Sequence, residues 1–224
     1  MRDDWLVNEV VEPRSGNILR LYWYKGKVCK RVLLDSPMAR QMAGYVLIEK
    51  DLRSATVWLD EIVRIRGEDA ALDAKGSRNS EDRERYNLVK GLFVAALTFY
   101  GKAFAQCEGR RVKLEGRQLS ADFHEAHDDA ISFRNNFAAH SGAKLLEKAE
   151  IALVFPPKSK QGAQLKIYKE MSQPDYAMAP AGKKSFAELI SHVREIPLRK
   201  IKELHEKVMK EEVLPKGYSY WATK

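Results

Sequence analysis

The longest regular pattern in the chain is an apolar stripe that follows Ser36-Pro37. Apolar residues recur there at intervals of three and four: Met38, Met42, Tyr45, Ile48, Leu52, Ala55, Leu59 and Ile62. This spacing places them on one face of an α-helix. Ser36 suits the N-cap and Pro37 the first helical position. The sequence therefore predicts a helix from Pro37 to about Arg66-Gly67 that buries this face against other elements.

Two further helices are predicted along the chain. Residues 68–80 are polar and are interpreted as a loop, after which Ser80 caps a helix. The apolar face of that helix is Tyr86, Val89, Phe93, Ala96, Tyr100, Ala103 and Cys107. From Leu92 to Tyr100 it is apolar on almost every side, which predicts that other helices or a second subunit cover it. Ser120 caps the third helix, and Gly142 ends it. Its apolar face is Phe123, Ala126, Ala130, Phe133 and Phe137.

Strand patterns appear in two other segments. Residues 1–17 are interpreted as irregular, and residues 18–34 as a β-hairpin that turns at Lys25-Gly26. A second hairpin is predicted at about residues 150–171, with Lys158 and Lys160 at a basic tip. A last helix runs from about Ser185 towards Glu212, and Pro197 must kink or break it. The basic, aromatic tail that follows either packs back on the core or is loose.

The predicted fold class is therefore mainly α, a helical bundle with two β-hairpin additions. We expect an N-terminal hairpin extension over residues 1–35 and a helical core over residues 36–148. Residues 149–224, the second hairpin and the C-terminal helix, are expected to pack on that core in a single globular unit.

Composition restricts the class of protein and its surroundings. Of the 224 residues 45% are hydrophobic, which supports a real core and excludes wholesale disorder. The net charge of +8 and the pI of about 9.3 mildly favour a polyanionic partner such as RNA or DNA, although many basic proteins bind neither. The two cysteines are too few for a disulfide framework. With no secretory leader and no membrane span apparent, we expect a cytoplasmic protein with reduced thiols.

The segment ISFRNNFAAHSG, residues 131–142, carries the strongest functional pattern. Arg134, Asn135 and His140 fall within about two helical turns, and Arg134 and Asn135 point away from the face that Phe133 and Phe137 bury. A histidine near neutral pKa can take or give a proton, and an arginine can hold the negative charge of a phosphorane-like transition state. A carboxamide can orient either group. Together they suit RNA cleavage by the 2′-hydroxyl without a metal.

The same segment resembles the R-x(4–6)-H signature of the HEPN superfamily. In that signature an arginine and a polar residue, often asparagine, precede a histidine on a helix of an α-helical bundle. Here the motif is RNNFAAH, and the trailing Ala-His-Ser-Gly is similar to the abortive-infection branch of the superfamily. The resemblance covers the signature and, loosely, the two long helices before it, but not the hairpins.

The resemblance implies a metal-independent endoribonuclease that dimerises, with two motifs facing a shared cleft. Arg134 would stabilise the scissile phosphate, Asn135 would be its polar partner, and His140 would be the general acid or base. It also implies a toxin–antitoxin or phage-defence setting, with an antitoxin or regulatory protein as a possible partner and no cofactor. On an ideal helix Arg134 and His140 lie roughly 120° apart. A loosened helix end or a site composed from two subunits would bring them together.

Several neighbouring residues are candidate RNA contacts. His127 lies seven residues before Arg134, nearly on the same face, and Ser141 follows His140 directly. The basic connection after the second helix offers four more: Arg110, Arg111, Lys113 and Arg117. A solvated loop is the alternative for these four.

Each of these interpretations has an alternative. His140 could cap its helix, and Arg134 could pair with Glu125, Asp128 or another helix. His124 and His127 could hold a metal together with the carboxylate of Asp128, but no HExxH pattern is present, no further ligand is assignable, and we expect no metal. The chief alternative function is a non-catalytic module of the same kind that binds RNA, a nucleotide or a protein partner. A scaffold that only assembles through its apolar helix is a third.

Overall fold

The computed structural model describes residues 4–74, 84–138, 148–155, 165–172 and 182–224. It is mostly helical with two small antiparallel sheets, which confirms the mainly α prediction with hairpins. The chain forms two compact units, Met1–Arg40 with Glu203–Lys224, and Gln41–Lys202. These units differ from the expected division after residues 35 and 148, because the C-terminal residues belong with the N-terminal segment and the second hairpin belongs with the helices.

The first unit begins with a three-stranded antiparallel sheet. Its strands are β1 (Trp5–Val11), β2 (Ile18–Tyr24) and β3 (Lys27–Val28), in that order. The prediction that residues 1–17 are irregular is wrong, because β1 pairs along its whole length with β2. The predicted turn at Lys25-Gly26 is present with φ of 47° and 76°. Positive φ at both central residues is what a tight hairpin turn requires.

The C-terminal tail is helical and belongs to the first unit. Helix α5 spans Gly217–Thr223, after a 3₁₀ turn at Leu214–Lys216. Lys30 Nζ donates to the backbone oxygen of Ala222 at 2.8 Å, and Trp221 Nε1 donates to the backbone oxygen of Val213 at 3.0 Å. Of the two alternatives left open by the sequence, these bonds favour a tail that packs, and its partner is the N-terminal segment.

Helix α1 (Pro37–Ala74) follows the first unit's sheet. The Ser36 cap is confirmed, since its hydroxyl accepts from the N–H of Ala39 at 3.0 Å. The predicted stripe is buried from Tyr45 to Ile62. The predicted end at Gly67 is wrong, because the helix continues to Ala74. Buried Ile65 extends the stripe, and Arg64 bonds Glu61 and Glu68 on the outer face, one turn to either side.

Helices α2 (Glu84–Phe104) and α3 (His124–Phe133) also contribute buried residues to the core. Phe133 of α3 and Phe93 of α2 meet with ring centroids 6.4 Å apart. The prediction that the Ser120 hydroxyl caps α3 is wrong: the helix opens through a 3₁₀ turn at Ala121–Phe123, and Ser120 makes no side-chain cap bond. After Phe133 the chain continues as a π-helical turn, Arg134–Ala138. The predicted start at Ser80 and end at Gly142 lie outside the described residues.

Helix α4 spans Phe186–Lys207 and continues as a π-helical turn at Val208–Val213. Ser185 and Glu188 form a reciprocal capping box at its start. Pro197 lies inside the helix without ending it, so a break there is excluded. Arg194 fixes α4 to α1 through two bonds to Glu49 Oε1, at 2.7 and 2.9 Å.

The second predicted hairpin is confirmed as β4 (Lys148–Val154) and β5 (Lys166–Ser172), which pair antiparallel. Its predicted basic tip, Lys158 and Lys160, lies outside the described residues. Among the residues that the structure describes, no helix is both long enough and apolar enough to cross a bilayer.

The stripe of α1 gives a direct stability prediction. Leu52→Ala should lower the free energy of unfolding by about 2–5 kcal/mol, because its side chain is fully buried and its loss leaves a cavity. Val57→Ala on the same helix is the control: Val57 is 59% exposed, so its change should stay within about 0.5 kcal/mol. Urea unfolding followed by circular dichroism measures both. Equal losses in the two variants would contradict the assigned burial.

Candidate functional site

Arg134 stands at the start of the π-helical turn and lies flat on α2. A Cβ added to Gly101 of α2 would come within 3.0 Å of Arg134 Cγ and 3.2 Å of Cδ. Gly101 is buried in the last turn of α2, which ends at Phe104, and glycine is less favourable in a helix than alanine. The close approach of Arg134 explains why a glycine occupies position 101, because a side chain there would press against the arginine. Turns of π-helix inside α-helices are also frequent at functional sites.

Among the residues that the structure describes, the guanidinium of Arg134 has one hydrogen-bond partner. Its Nη1 donates to Asn135 Oδ1 at 2.9 Å. The neighbouring Asn136 is occupied differently, since its Nδ2 donates to the backbone oxygen of Ser132 at 2.9 Å. Within the described ranges no carboxylate pairs with Arg134, so the pairing with Glu125 or Asp128 that the sequence left open is not formed. The Arg134–Asn135 pair is therefore suited to meet an anion.

His127 of α3 is held against the buried phenol of Tyr100. Its Nδ1 lies 2.7 Å from the Tyr100 oxygen, and the Phe104 ring lies 4.5 Å away between centroids. Burial lowers the pKa of His127. The negative charge of Asp128 opposes this shift, and the nearby His124 lowers the pKa by a smaller amount. Burial, and then the charge of Asp128, raises the pKa of Tyr100, so the phenol keeps its proton. Tyr100 can thus donate to Nδ1, which leaves a neutral imidazole with its N–H on Nε2.

A second glycine makes room for that ring. A Cβ on Gly116 would lie 3.3 Å from His127 Nε2, closer than side chains normally approach. The two side chains contact consecutive residues of α2, His127 at Tyr100 and Arg134 at Gly101. The structure thus brings a neutral imidazole and a guanidinium to the same turn of α2.

The other sequence candidates are placed as follows. His140 and Ser141 lie outside the described residues, so the spacing between Arg134 and His140 is not described either. Arg111, Lys113 and Arg117 are exposed, as a solvated or RNA-contacting loop requires. His124 Nε2 lies 3.3 Å from the backbone oxygen of Leu119. In the described part of the chain no group of three or more His, Cys, Asp or Glu side chains is placed to hold a metal ion.

Arg110 differs from the expectation of a solvated or RNA-contacting residue. It is 4% exposed, and its Nη1 lies 3.6 Å from Oδ2 of the buried Asp51. Its Nη2 donates to the backbone oxygens of Lys102 and Ala105 at the end of α2. The guanidinium is drawn inward because it satisfies both a buried carboxylate and the unpaired carbonyls of a helix end. Arg110 is therefore a structural residue.

Sequence reasoning missed the partners of the site. Tyr100 was assigned to the apolar face of the second helix, and Gly101 was not singled out. The available signal was a glycine in the last turn of a helix, directly after the stretch from Leu92 to Tyr100 that is apolar on almost every side. Such a glycine usually has a packing or functional reason. Comparison of the chain with protein-family models, with curated protein sequences and with solved structures found no significant match in any of the three.

The buried state of His127 predicts a pH dependence of stability. Its folded pKa lies below the ordinary value of 6.5, so as pH falls the unfolded chain takes up the proton first. The stabilisation is present above about pH 6.5 and is lost as pH falls towards the folded pKa. His127→Gln should therefore lose less stability than the wild type between pH 7.5 and 5.

Urea unfolding at a series of pH values measures this difference. His205→Gln, at an exposed position of α4, is the matched control and should keep the wild-type slope. If the slope changed equally in both variants, the assigned burial of His127 would be incorrect.

Proposed function

We propose that the chain is a metal-independent endoribonuclease of the HEPN type. One observation carries the proposal: Arg134, with Asn135 bonded to it, is held over Gly101 with no carboxylate among the described residues to neutralise it. The pair belongs to the segment RNNFAAH, which resembles the superfamily signature. The mainly helical fold and the surplus of positive charge are compatible with this class.

In the proposed reaction a ribose 2′-hydroxyl attacks the adjacent 3′-phosphate. A base takes the hydroxyl proton, the new O–P bond closes a 2′,3′-cyclic phosphate, and the 5′-oxygen leaves with a proton from an acid. His140 serves as the base or the acid. Arg134 stabilises the negative charge that gathers on the phosphoryl oxygens. His127, neutral and with its N–H on Nε2, supplies a hydrogen bond to the RNA in the same cleft.

The proposal includes a homodimer, in which the two motifs face one shared cleft. On an ideal α-helix Arg134 and His140 lie roughly 120° apart, and a site composed from two copies would relieve that separation. The setting in toxin–antitoxin or phage-defence systems, with an antitoxin or regulatory partner, rests on the resemblance alone.

Cleavage in excess EDTA tests the mechanism. Wild-type protein should cut RNA and leave 2′,3′-cyclic phosphate and 5′-hydroxyl ends. His140→Ala should lose about 10²–10⁴-fold in rate, the usual contribution of a general acid or base. Arg134→Ala should lose about 10²–10³-fold, the usual contribution of a group that stabilises transition-state charge.

His205→Ala, at an exposed position of α4, is the control and should cut like the wild type. Equal cleavage by all four proteins would reject the assigned site. RNA affinity without cleavage by the wild type would instead favour the non-catalytic binding module.

The glycine under Arg134 allows a sharper test on one helix. Gly101→Ala places a methyl group 3.0 Å from Arg134 Cγ, so the Arg134 side chain must shift by a few tenths of an ångström. A misplacement of about 1 Å can cost about 10²-fold in rate, so this smaller shift should cost up to about tenfold, although alanine favours the helix. Gly91→Ala in the same helix meets nothing within 4 Å. It should gain about 0.5–1 kcal/mol of stability and leave cleavage unchanged.

The two variants are compared by thermal unfolding and by the EDTA cleavage assay. The expected pattern is a Gly101→Ala protein that is folded and slow, beside a Gly91→Ala protein that is folded and fast. If both cut at the wild-type rate, the position of Arg134 over α2 does not matter for the reaction.

A further inference from the structure

A second group of charged side chains surrounds Asp51 of α1. The Asp51 side chain is only 2% exposed, yet three cations approach it. Lys50 Nζ lies 3.0 Å from Oδ1, while Lys102 Nζ lies 3.3 Å and Arg110 Nη1 3.6 Å from Oδ2. One negative charge therefore faces three positive charges. The cluster carries a surplus of two positive charges beside a nearly buried carboxylate.

Arg110 and the two lysines hold different positions in this cluster. Arg110 is buried and already bonded to the end of α2, so it balances Asp51 from the interior. The Lys50 and Lys102 side chains are 50% and 45% exposed. They line a cavity of about 190 Å³, which Leu47, Asp51, Cys107, Gly109 and Arg110 complete. Two ammonium groups that share one carboxylate repel each other, and an anion in the cavity would relieve that repulsion.

We propose that this cavity binds a phosphate monoester. Such a group carries a charge of about −1.5 to −2 at pH 7, which matches the surplus of the cluster, whereas a phosphodiester of the RNA backbone carries a charge of only −1. Lysine is a common phosphate ligand because its ammonium group is a compact charge with three donors. The group can come from the 5′-phosphate end of an RNA or from a free nucleoside monophosphate. This binding does not depend on the chain cutting RNA.

Inorganic phosphate is the first probe, at constant ionic strength against chloride. A ligand that binds only the folded state raises its stability, so phosphate should raise the wild-type melting temperature and chloride should not. Titration calorimetry with phosphate should show Lys50→Gln and Lys102→Gln each weakening binding by about tenfold or more, as expected for a lost charge-assisted hydrogen bond. The double variant should not bind. Asp51 stays unchanged, because its loss would leave Arg110 buried without a counter-charge.

Lys202→Gln is the matched control, since it removes the same charge from an exposed position of α4. It should bind phosphate like the wild type. Circular dichroism and the melting temperature without ligand confirm that each variant is folded. Wild-type affinity in the Lys50→Gln/Lys102→Gln protein, or an equal loss in Lys202→Gln, would overturn the proposal.

Two further ligands identify the source of the phosphate. A 5′-phosphorylated 2′-O-methyl oligoribonucleotide, which cannot be cleaved through its 2′-position, is compared with the same strand bearing a 5′-hydroxyl. Preference for the phosphorylated strand, lost in the double lysine variant, assigns the site to RNA ends. Tight binding of adenosine monophosphate without that preference assigns it to a free mononucleotide. Failure of both, together with no effect of inorganic phosphate, overturns the proposal and leaves the cleavage mechanism untouched.

Discussion

The arrangement of the helical unit depends on one turn of α2, because three consecutive residues there serve three different neighbours. Successive residues of an α-helix point about 100° apart. Tyr100 faces His127, Gly101 faces Arg134, and Lys102 reaches Asp51 of α1. The fully buried residues of α2 lie on one broad face of the helix: Val89, Phe93, Ala96, Leu97, Tyr100 and Ala103. Leu88, outside that face, is half exposed, so α2 is covered mainly on one side.

The fold was predictable where the signal is local. The stripe of α1, its Ser36 cap and the hairpin β4–β5 follow from spacing and turn residues within a few positions. Predictions failed where a partner distant in sequence decides the outcome. Ser120 has a good capping residue type, but its N–H faces His192 Nε2 at 3.3 Å, from a helix 72 residues away. Strand β1 was missed because its pairing with β2 outweighs the turn residues that follow it.

The candidate site, too, was predictable only where the signal is local in the sequence. The seven-residue interval between His127 and Arg134 placed them on one face before any contact was known. Their partners were not predictable, since Tyr100 and Gly101 lie on another helix. Arg110 shows the converse case: in sequence it is one of several basic residues, and only the buried Asp51 distinguishes it from Arg111 beside it. Asp51 itself interrupts the apolar stripe between Ile48 and Leu52, which was the one local sign of a buried charge.

The absence of a side chain at Gly101 restricts how this sequence can change in evolution. Many proteins gain stability when a helical glycine is replaced by alanine at a compatible position. At position 101 the Arg134 side chain, which lies against the helix, opposes such a replacement. A larger residue at position 101 therefore requires the Arg134 side chain to shift, which couples the two positions. Among related chains the two positions should vary as a pair, and a chain that has lost the arginine is free to lose the glycine.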